Sequence, residues 1–288
     1  MTAPAPHRAP TGASRRAPQP PEPRARFGDL VAAEWLKLRS LRSTGWSLLL
    51  SALAVVAFNA GTAYDHYRYW QEFDAVHQAD FVRSKMGLWD AFTGNGAMVL
   101  MLCAGAMGAV AVVGEYSSGM IRTTFAAVPA RRSVMAAKVL VVAAVLALFG
   151  AVVAGTSFWL TQAVLAGRGA GVSIGEPGAV RLVAASALLA PVAGLVGMAI
   201  GTLLRHSAAT MVANVVVLLL LPTVLGDERR WSAVLAHSLP YHAWQRLVPA
   251  GPYEVAYPWS LSGAWLVYGS WAVAAAVVTV TAVHRRDQ

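Results

Sequence analysis

Charged residues are scarce in this 288-residue chain: only 13% are Asp, Glu, Lys or Arg, against 57% apolar residues, and the mean hydropathy is +0.52. Soluble domains carry about a quarter charged residues, so this composition excludes an ordinary soluble domain. The chain also has a single cysteine, Cys103, which excludes an intramolecular disulfide. We therefore expect an integral membrane protein without an intramolecular disulfide.

Lysine is the rarest charged residue, and none of its three positions, Lys37, Lys85 and Lys138, follows a glycine. A phosphate loop of the G-x-x-x-x-G-K-[ST] type needs a lysine directly after a glycine, because the lysine and the loop backbone hold the phosphates together. The sequence contains no such loop. We therefore expect no ATP hydrolysis on this chain.

Catalytic and metal-binding patterns are also missing. The chain has seven histidines but no H-E-x-x-H, and Ser117 and Ser118 lie outside any G-x-S-x-G turn. His237 and His242 are five residues apart, and they are either metal ligands or, as we favour, ordinary interfacial histidines. No nucleophile has a base beside it in the sequence. We expect a non-catalytic chain with no cofactor or metal of its own.

Six long apolar runs dominate the rest of the chain. A helix needs about 20 residues to cross the hydrocarbon of a bilayer, and a soluble core would account for one such run rather than six. Between the last two runs, residues 231–239 and 241–248 predict two short helices at the outer surface. The runs predict an all-α integral membrane protein with spans at about residues 45–64, 93–113, 139–165, 182–204, 207–225 and 262–283.

The charges lie at the ends of these runs. Of the 23 Lys and Arg residues, 15 fall in the segments that share one side of the membrane with both termini. Basic flanks are typical of cytoplasmic segments, so both termini are expected in the cytoplasm. The net charge of +9 follows the membrane flanks and is not concentrated on one face, which argues against a nucleic-acid partner. The six predicted spans contain no Asp, Glu, Lys or Arg. Proton- or ion-coupled carriers use ionisable residues inside the membrane, so this absence disfavours such a carrier.

The amino-terminal region precedes the first span in two parts. Residues 1–26, rich in Pro, Ala and Arg, predict a disordered cytoplasmic tail. Residues 27–42 predict an amphipathic helix on the inner membrane surface, with Lys37 and Arg39 beside its apolar face. Glu34 falls inside that face, where it either pairs with Lys37 one turn on or contacts another protein segment. The face itself consists of Phe27, Leu30, Val31, Trp35, Leu38 and Leu41.

A short basic segment, residues 114–138 (GEYSSGMIRTTFAAVPARRSVMAAK), connects the second and third spans. It carries four basic residues and one acidic residue, a net charge of +3, which favours the cytoplasmic side. Residues 117–128 predict a brief helix, which Pro129 ends because proline cannot continue the helical hydrogen bonds. A small basic helix between two spans is a surface on which a soluble partner can push.

The charged residues of this segment have alternative roles. Arg122, Arg131 and Arg132 are candidates for contact with a partner or with lipid phosphate, or they only set the topology of the spans. Glu115, at the end of the second span, either caps or pairs with the brief helix or has a direct functional role.

Small residues crowd the second and fourth spans. Gly105 lies among glycines and alanines in the second span, and Gly197 and Gly201 form a G-x-x-x-G pattern in the fourth. Such residues let helix backbones approach closely in a membrane. Pro191 predicts a kink in the fourth span.

Two of these stretches together resemble the permease subunits of type-2 ABC exporters, most strongly those of high-GC Gram-positive bacteria. They are EWLKLRSLRSTGW at residues 34–46, which enters the first span, and the basic segment at 114–138. The six spans and the two short helices before the last span fit as well, so the resemblance covers about residues 27–283. It implies a bacterial plasma-membrane exporter whose ATPase, with its ATP and Mg²⁺, is a separate subunit. A second permease copy would complete the path.

By this resemblance, residues 27–42 are an interface helix and residues 117–128 a coupling helix, both touching the ATPase. Residues 27–288 then form one permease domain. The alternatives are a membrane anchor or immunity subunit that binds an ATPase and moves no substrate, or a stand-alone carrier. The residues expected at the ATPase interface are Glu34, Lys37, Arg39, Glu115, Arg122, Arg131 and Arg132.

Overall fold

The computed structural model describes residues 25–226, 229–249 and 257–285, and these residues form helices and connecting turns without a strand. A 3-10 turn lies at Trp70–Glu72 and a π turn at Val216–Leu220. Residues 1–24 of the predicted tail lie outside the described residues. In chain order the helices are α1 (Phe27–Ser40), α2 (Arg42–Arg68), α3 (Ala75–Arg83), α4 (Gly87–Ala91), α5 (Gly94–Ser117), α6 (Met120–Ala127), α7 (Arg131–Ala166), α8 (Ala179–Leu204), α9 (Ser207–Val215), α10 (Leu221–Val224), α11 (Arg230–His237), α12 (Pro240–Leu247) and α13 (Leu261–Arg285).

Six segments of the described chain are long and apolar enough to cross a membrane, so the predicted all-α integral membrane protein is confirmed. They are α2, α5 with α4 before it, α7, α8, the segment Ser207–Val224 and α13. The two short helices predicted before the last span are present as α11 and α12. The third span begins earlier than predicted, because α7 starts at Arg131 and carries the end of the basic segment into the helix.

Helix α8 lies at the centre of the bundle and packs against α5, α7 and α13. Its contact with α5 is backbone against backbone. A Cβ atom at Gly108 would lie 1.9 Å from the carbonyl oxygen of Gly194, and one at Gly197 would lie 1.9 Å from that of Gly105. Gly201 faces α5 one turn further on. Because lipid supplies no hydrophobic force between helices, such close packing is a main source of their association.

Helix α8 continues through Pro191 as one helix. The proline has no N–H for the carbonyl group of Ala187, four residues earlier. Gly150 of α7 packs directly on that carbonyl: a Cβ atom at Gly150 would lie 2.1 Å from the Ala187 oxygen. The neighbouring glycine backbone therefore covers the carbonyl that the proline leaves without a helical donor.

The close α5–α8 contact predicts that Gly197→Ala destabilises the folded chain by about 1–3 kcal/mol, because the new methyl group overlaps the α5 backbone. The matched control is Gly155→Ala in α7, where a Cβ atom meets nothing within 4 Å. There the change removes the helix penalty of glycine, about 1 kcal/mol, so stability is expected to stay equal or to rise. Thermal unfolding of the purified chain in detergent measures the difference. Equal melting temperatures for the two variants would contradict the backbone contact.

Candidate functional site

Four charged side chains meet at the end of the bundle where α1, α5 and the start of α7 come together. Lys37 of α1 donates to Glu34 one turn before it (2.6 Å from Nζ to Oε1) and to Glu115 of α5 (3.0 Å). Lys138 of α7 donates to the same oxygen of Glu115 (2.8 Å) and to the other carboxylate oxygen of Glu34. Each carboxylate thus accepts from two ammonium groups, and each ammonium group donates to two carboxylates. We name this closed, electrically neutral arrangement the charge ring.

Helix geometry positions each member of the charge ring. Glu34 and Lys37 are three residues apart in α1, so they share one face of that helix. Glu115 stands in the last turn of α5, and Lys138 lies two turns into α7. Because the chain turns back between α5 and α7, these two residues arrive side by side and meet the face of α1.

Three members of the charge ring are almost fully buried: Glu34 is 4% exposed, Lys138 5% and Glu115 7%. The Lys37 side chain retains 28% exposure. Removing an ion from water costs several kcal/mol, so an isolated charge would not be stable at this depth. Opposite charges at hydrogen-bond distance offset that cost. Moving α5 or α7 away would leave a buried charge unbalanced, and moving α1 away would take one of its two partners from each of the four charges, so the ring couples the positions of the three helices.

Lys37 remains charged at neutral pH. Burial lowers the pKa of its ammonium group, but the hydrogen bonds to Glu34 and Glu115 together raise it by more, so the pKa lies above the ordinary 10.5. A lysine whose pKa is raised on folding adds stability that is complete below its ordinary pKa and is lost as the pH rises through the higher value. The contribution of Lys37 therefore persists across the physiological range and disappears in alkaline solution.

A small apolar core adjoins the charge ring. Leu30 of α1 is buried with Val134 and Ala137 of α7. Phe125 of α6 and Val128, which directly follows α6, pack against the same cluster. Helices α1, α6 and α7 therefore share one core, and α6 is fixed to the same structure that holds the ring.

The buried face of α1 differs from the predicted apolar face. Leu30 is buried as expected, but Phe27, Trp35 and Leu41 are 47%, 48% and 53% exposed, and Glu34 is the second buried residue. The difference has a physical reason: apolar side chains beside a membrane can remain exposed because they suit lipid, whereas a carboxylate in such a region needs a protein partner. Glu34 satisfies both interpretations of its position, since it pairs with Lys37 and also contacts Lys138 of α7.

Helix α6 is shorter than the predicted helix at residues 117–128. Ser117 completes α5, and Gly119 adopts a left-handed conformation (φ +71°) before α6 begins. Glycine takes this conformation without the steric cost that other residues meet. Ile121 is buried and Arg122 is exposed. The helix therefore presents one face to the bundle and another outward.

The residues expected at an ATPase interface divide into two groups in the structure. Three join the charge ring: Glu34, Lys37 and Glu115. Four arginines lie outside the ring, at the same end of the bundle: Arg39, Arg122, Arg131 and Arg132. Three of these are exposed, whereas Arg131 is half-buried, with its guanidinium group 5.4 Å from the centre of the Phe125 ring.

Lys138 is the one member of the charge ring that was not among the residues expected at the ATPase interface. In the sequence it ends the basic segment, outside the predicted spans, but the structure corrects this placement and buries it within α7. The helical span thus contains an ionisable residue that the predicted span, residues 139–165, did not include. The available signal was its surroundings: residues 134–137 and 139–142 are all apolar. A lone lysine among eight apolar residues needs a buried partner.

His237 and His242, near the opposite end of the bundle, have different neighbours. His237 stacks on Trp259 with ring centres 4.7 Å apart, and His242 Nε2 lies 3.1 Å from the carbonyl oxygen of Pro222. Across residues 25–226, 229–249 and 257–285, no three His, Cys, Asp or Glu side chains are grouped to hold a metal ion. The two histidines thus engage aromatic and backbone groups at separate places.

The fold and the charge ring define a class: an integral membrane protein of six helical spans, with an amphipathic helix before the first span joined to the bundle by buried ion pairs. Comparison with protein families goes further. Residues 30–221 match the family described as ABC-2 family transporter protein, which covers two thirds of the chain and all four ring residues. The chain belongs to this family and is a type-2 ABC permease. None of the curated proteins compared with the chain is a match.

The burial of the charge ring predicts that Lys138→Met destabilises the folded chain by about 3–5 kcal/mol, because two buried carboxylates lose a partner. The matched control is Lys85→Met, which breaks the ion pair with Glu176, whose two side chains are 42% and 37% exposed. Exposed pairs contribute at most about 1 kcal/mol. Thermal unfolding in detergent compares the two variants.

A second variant separates lost charge balance from lost packing. Adding Glu115→Gln to Lys138→Met leaves Glu34 and Lys37 as a neutral pair, so part of the lost stability is expected to return. If Lys138→Met is no more damaging than Lys85→Met, the charge ring does not hold the three helices together.

Proposed function

We propose that this permease is the membrane subunit of an ATP-driven exporter and that a separate ATPase drives it through α6 and α1. The observation that supports the proposal best is the charge ring, which joins α1 to α5 and α7. Helix α6 is the short connection between the same α5 and α7. A force applied to α6 therefore acts on three helices that are held at one point. ATP and Mg²⁺ would bind the partner, because this chain has no phosphate loop.

The exposed surface of the bundle beside the charge ring suits an acidic partner. Arg122 on α6, Arg132 at the start of α7 and Arg39 near the end of α1 are exposed. Met120, which is 42% exposed, adds an apolar contact at the start of α6. A short helix with cationic and apolar side chains fits an apolar groove flanked by carboxylates, since helix-in-groove contacts bury the apolar face of the helix. The basic character of this end favours the cytoplasm, where ATP is available.

Helix α5 would transmit a displacement of α6 into the membrane. This helix of 24 residues is about 36 Å long, enough to carry a displacement across the bilayer. Helix α8 would move with it, because the two backbones are in direct contact at Gly108 and Gly194. Closure of the ATPase on ATP would thus shift α2 and α5 against the segment Ser207–Val224 and open a path outward. A second permease copy would complete the walls of that path.

Co-purification tests the ATPase contact. The tagged chain is isolated in mild detergent from the membranes of its source cells, and associated proteins are identified and assayed for ATP hydrolysis. The wild type is expected to retain an ATPase in a stoichiometric amount. The variant Arg39→Glu/Arg122→Glu/Arg132→Glu is expected to lose it, because reversed charges repel an acidic groove while the charge ring stays intact.

The matched control is Arg83→Glu on α3, whose side chain is 79% exposed and lies far from α6 along the chain. It is expected to retain the ATPase. A triple variant that also retains the ATPase would exclude α6 as the docking surface. A wild-type chain that purifies without any ATPase would favour a stand-alone carrier. A bound ATPase that no transported compound stimulates would favour a membrane anchor or immunity subunit.

A further inference from the structure

Helix α11, which follows the fifth span, has the reverse of the pattern of a soluble surface helix, whose apolar side faces the core. Its large apolar side chains point away from the bundle: Trp231 is 59% exposed, Val234 63% and Leu235 49%. Exposed apolar faces of this kind are typical of helices that contact a bilayer. The buried face consists of small residues, namely Ser232, Ala233 and Ala236.

Two hydrogen bonds place α11 at the level of the spans. The Ser232 hydroxyl donates to the carbonyl oxygen of Gly226 (2.7 Å), just after the fifth span. At the other end of α11, the carbonyl oxygen of Ser238 accepts from Trp271 Nε1 (2.6 Å). Trp271 is the eleventh of the 25 residues of α13, about 15 Å from the start of that helix. Helix α11 therefore lies beside the last span and not beyond its end.

The exposed face of α11 carries a groove with a mixed lining. Arg230, Trp231, Val234 and Leu235 line this open groove, whose volume is about 650 Å³. Pockets that hold small molecules have volumes of about 300–1,000 Å³. Arg230 and Trp231 stand in the first turn of α11, and Val234 and Leu235 stand one turn further on. The groove is therefore cationic at one end and apolar at the other.

The cation in the groove lacks a protein counter-ion. Arg230 is exposed, and among the residues that the structure describes no Asp or Glu forms an ion pair with it. The amino-terminal end of a helix is the positive end of its dipole, so an arginine in the first turn of α11 does not stabilise that helix. An anionic group beside Arg230 would offset this repulsion. The groove thus matches a molecule with an anionic head and an apolar body.

We propose that the groove on α11 binds an anionic phospholipid of the leaflet at this end of the bundle, opposite the charge ring. Arg230 donates to the phosphate oxygens of the headgroup, since a guanidinium group can form two parallel hydrogen bonds with phosphate. Trp231 lies at the boundary between headgroups and acyl chains, which indole rings favour. Val234 and Leu235 contact an acyl chain. A zwitterionic headgroup binds more weakly, because its own cation reduces the attraction to Arg230.

Photo-crosslinking of the purified full chain in lipid nanodiscs tests the groove without any ATPase. The probes are phosphatidylglycerol and phosphatidylcholine with the same photoreactive acyl chain, each added as a trace to a phosphatidylcholine bilayer. Trypsin cuts after Lys and Arg, so a lipid in the groove is recovered on the peptide 231–246, and fragmentation locates the modified residue. Phosphatidylglycerol is expected to label Val234 or Leu235 about tenfold more than phosphatidylcholine does.

Two neighbouring arginines give a matched pair of variants. Arg230→Gln removes the cation from the groove, so labelling by phosphatidylglycerol is expected to fall about tenfold, to the level of phosphatidylcholine. Arg229→Gln changes an exposed arginine that does not line the groove, and labelling is expected to stay at the wild-type level. In each variant trypsin still cuts at the remaining arginine. The peptide 43–68 of α2 is the internal control, because its Leu50 and Leu53 are 61% and 58% exposed.

Three results would overturn the proposal. Equal labelling of the groove by the two lipids would show that it does not select an anionic headgroup. An equal loss in Arg229→Gln and Arg230→Gln would assign the attraction to general positive charge. If neither lipid labels α11 while both label α2, another occupant, such as a second permease copy, covers the groove. None of these results depends on the ATPase contact at α6, so the two proposals stand or fall separately.

Discussion

Where α1 meets α5 and α7, the arrangement of this permease depends above all on the pairing of buried charges. Glu34, Glu115 and Lys138 lie where water is excluded, and only their mutual pairing with Lys37 makes that arrangement stable. The members come from three helices, so the ring is also a mechanical joint. Apolar contacts alone would let α1 slide along α7 at little cost. Ion pairs at hydrogen-bond distance resist such sliding, because a displacement of a few ångströms takes one of its two partners from each charge of the ring.

The α5–α8 pair and the segment Ser207–Val224 differ in how regularly they are packed and hydrogen-bonded. Helices α5 and α8 meet backbone to backbone through glycines, a contact that leaves no space for adjustment and makes the two helices one unit. The segment Ser207–Val224 is different, since it carries a π turn, a proline and two incompletely bonded polar side chains. The bundle thus combines a closely packed helix pair with a neighbouring segment whose regular helical hydrogen bonding is interrupted. The charge ring lies at the end of this closely packed pair, because Glu115 stands in the last turn of α5.

Much of the fold could be predicted from the sequence. In lipid the backbone must satisfy its own hydrogen bonds, so each apolar run of about 20 residues becomes a helix whatever surrounds it. Helices α3 and α4 escaped prediction because they are short and lie in a charged connection. They depend on local interactions instead. The Asp74 carboxylate caps α3 by accepting from the N–H of His77, and Trp70 packs against Phe81. The candidate site was predicted in part: Glu34, Lys37 and Glu115 were selected, but their convergence was not.

The sequence by itself determined the six spans, the amphipathic helix before them, the basic segment and the lack of a phosphate loop, because each follows from local composition and length. Only the tertiary structure decided which charges meet. Glu34 and Lys138 are 104 residues apart, and no local pattern relates their positions. Nor does the sequence show that the Asn214 amide oxygen lies buried opposite Gly105. Partners of this kind depend on how helices pack, and packing is a property of the whole bundle.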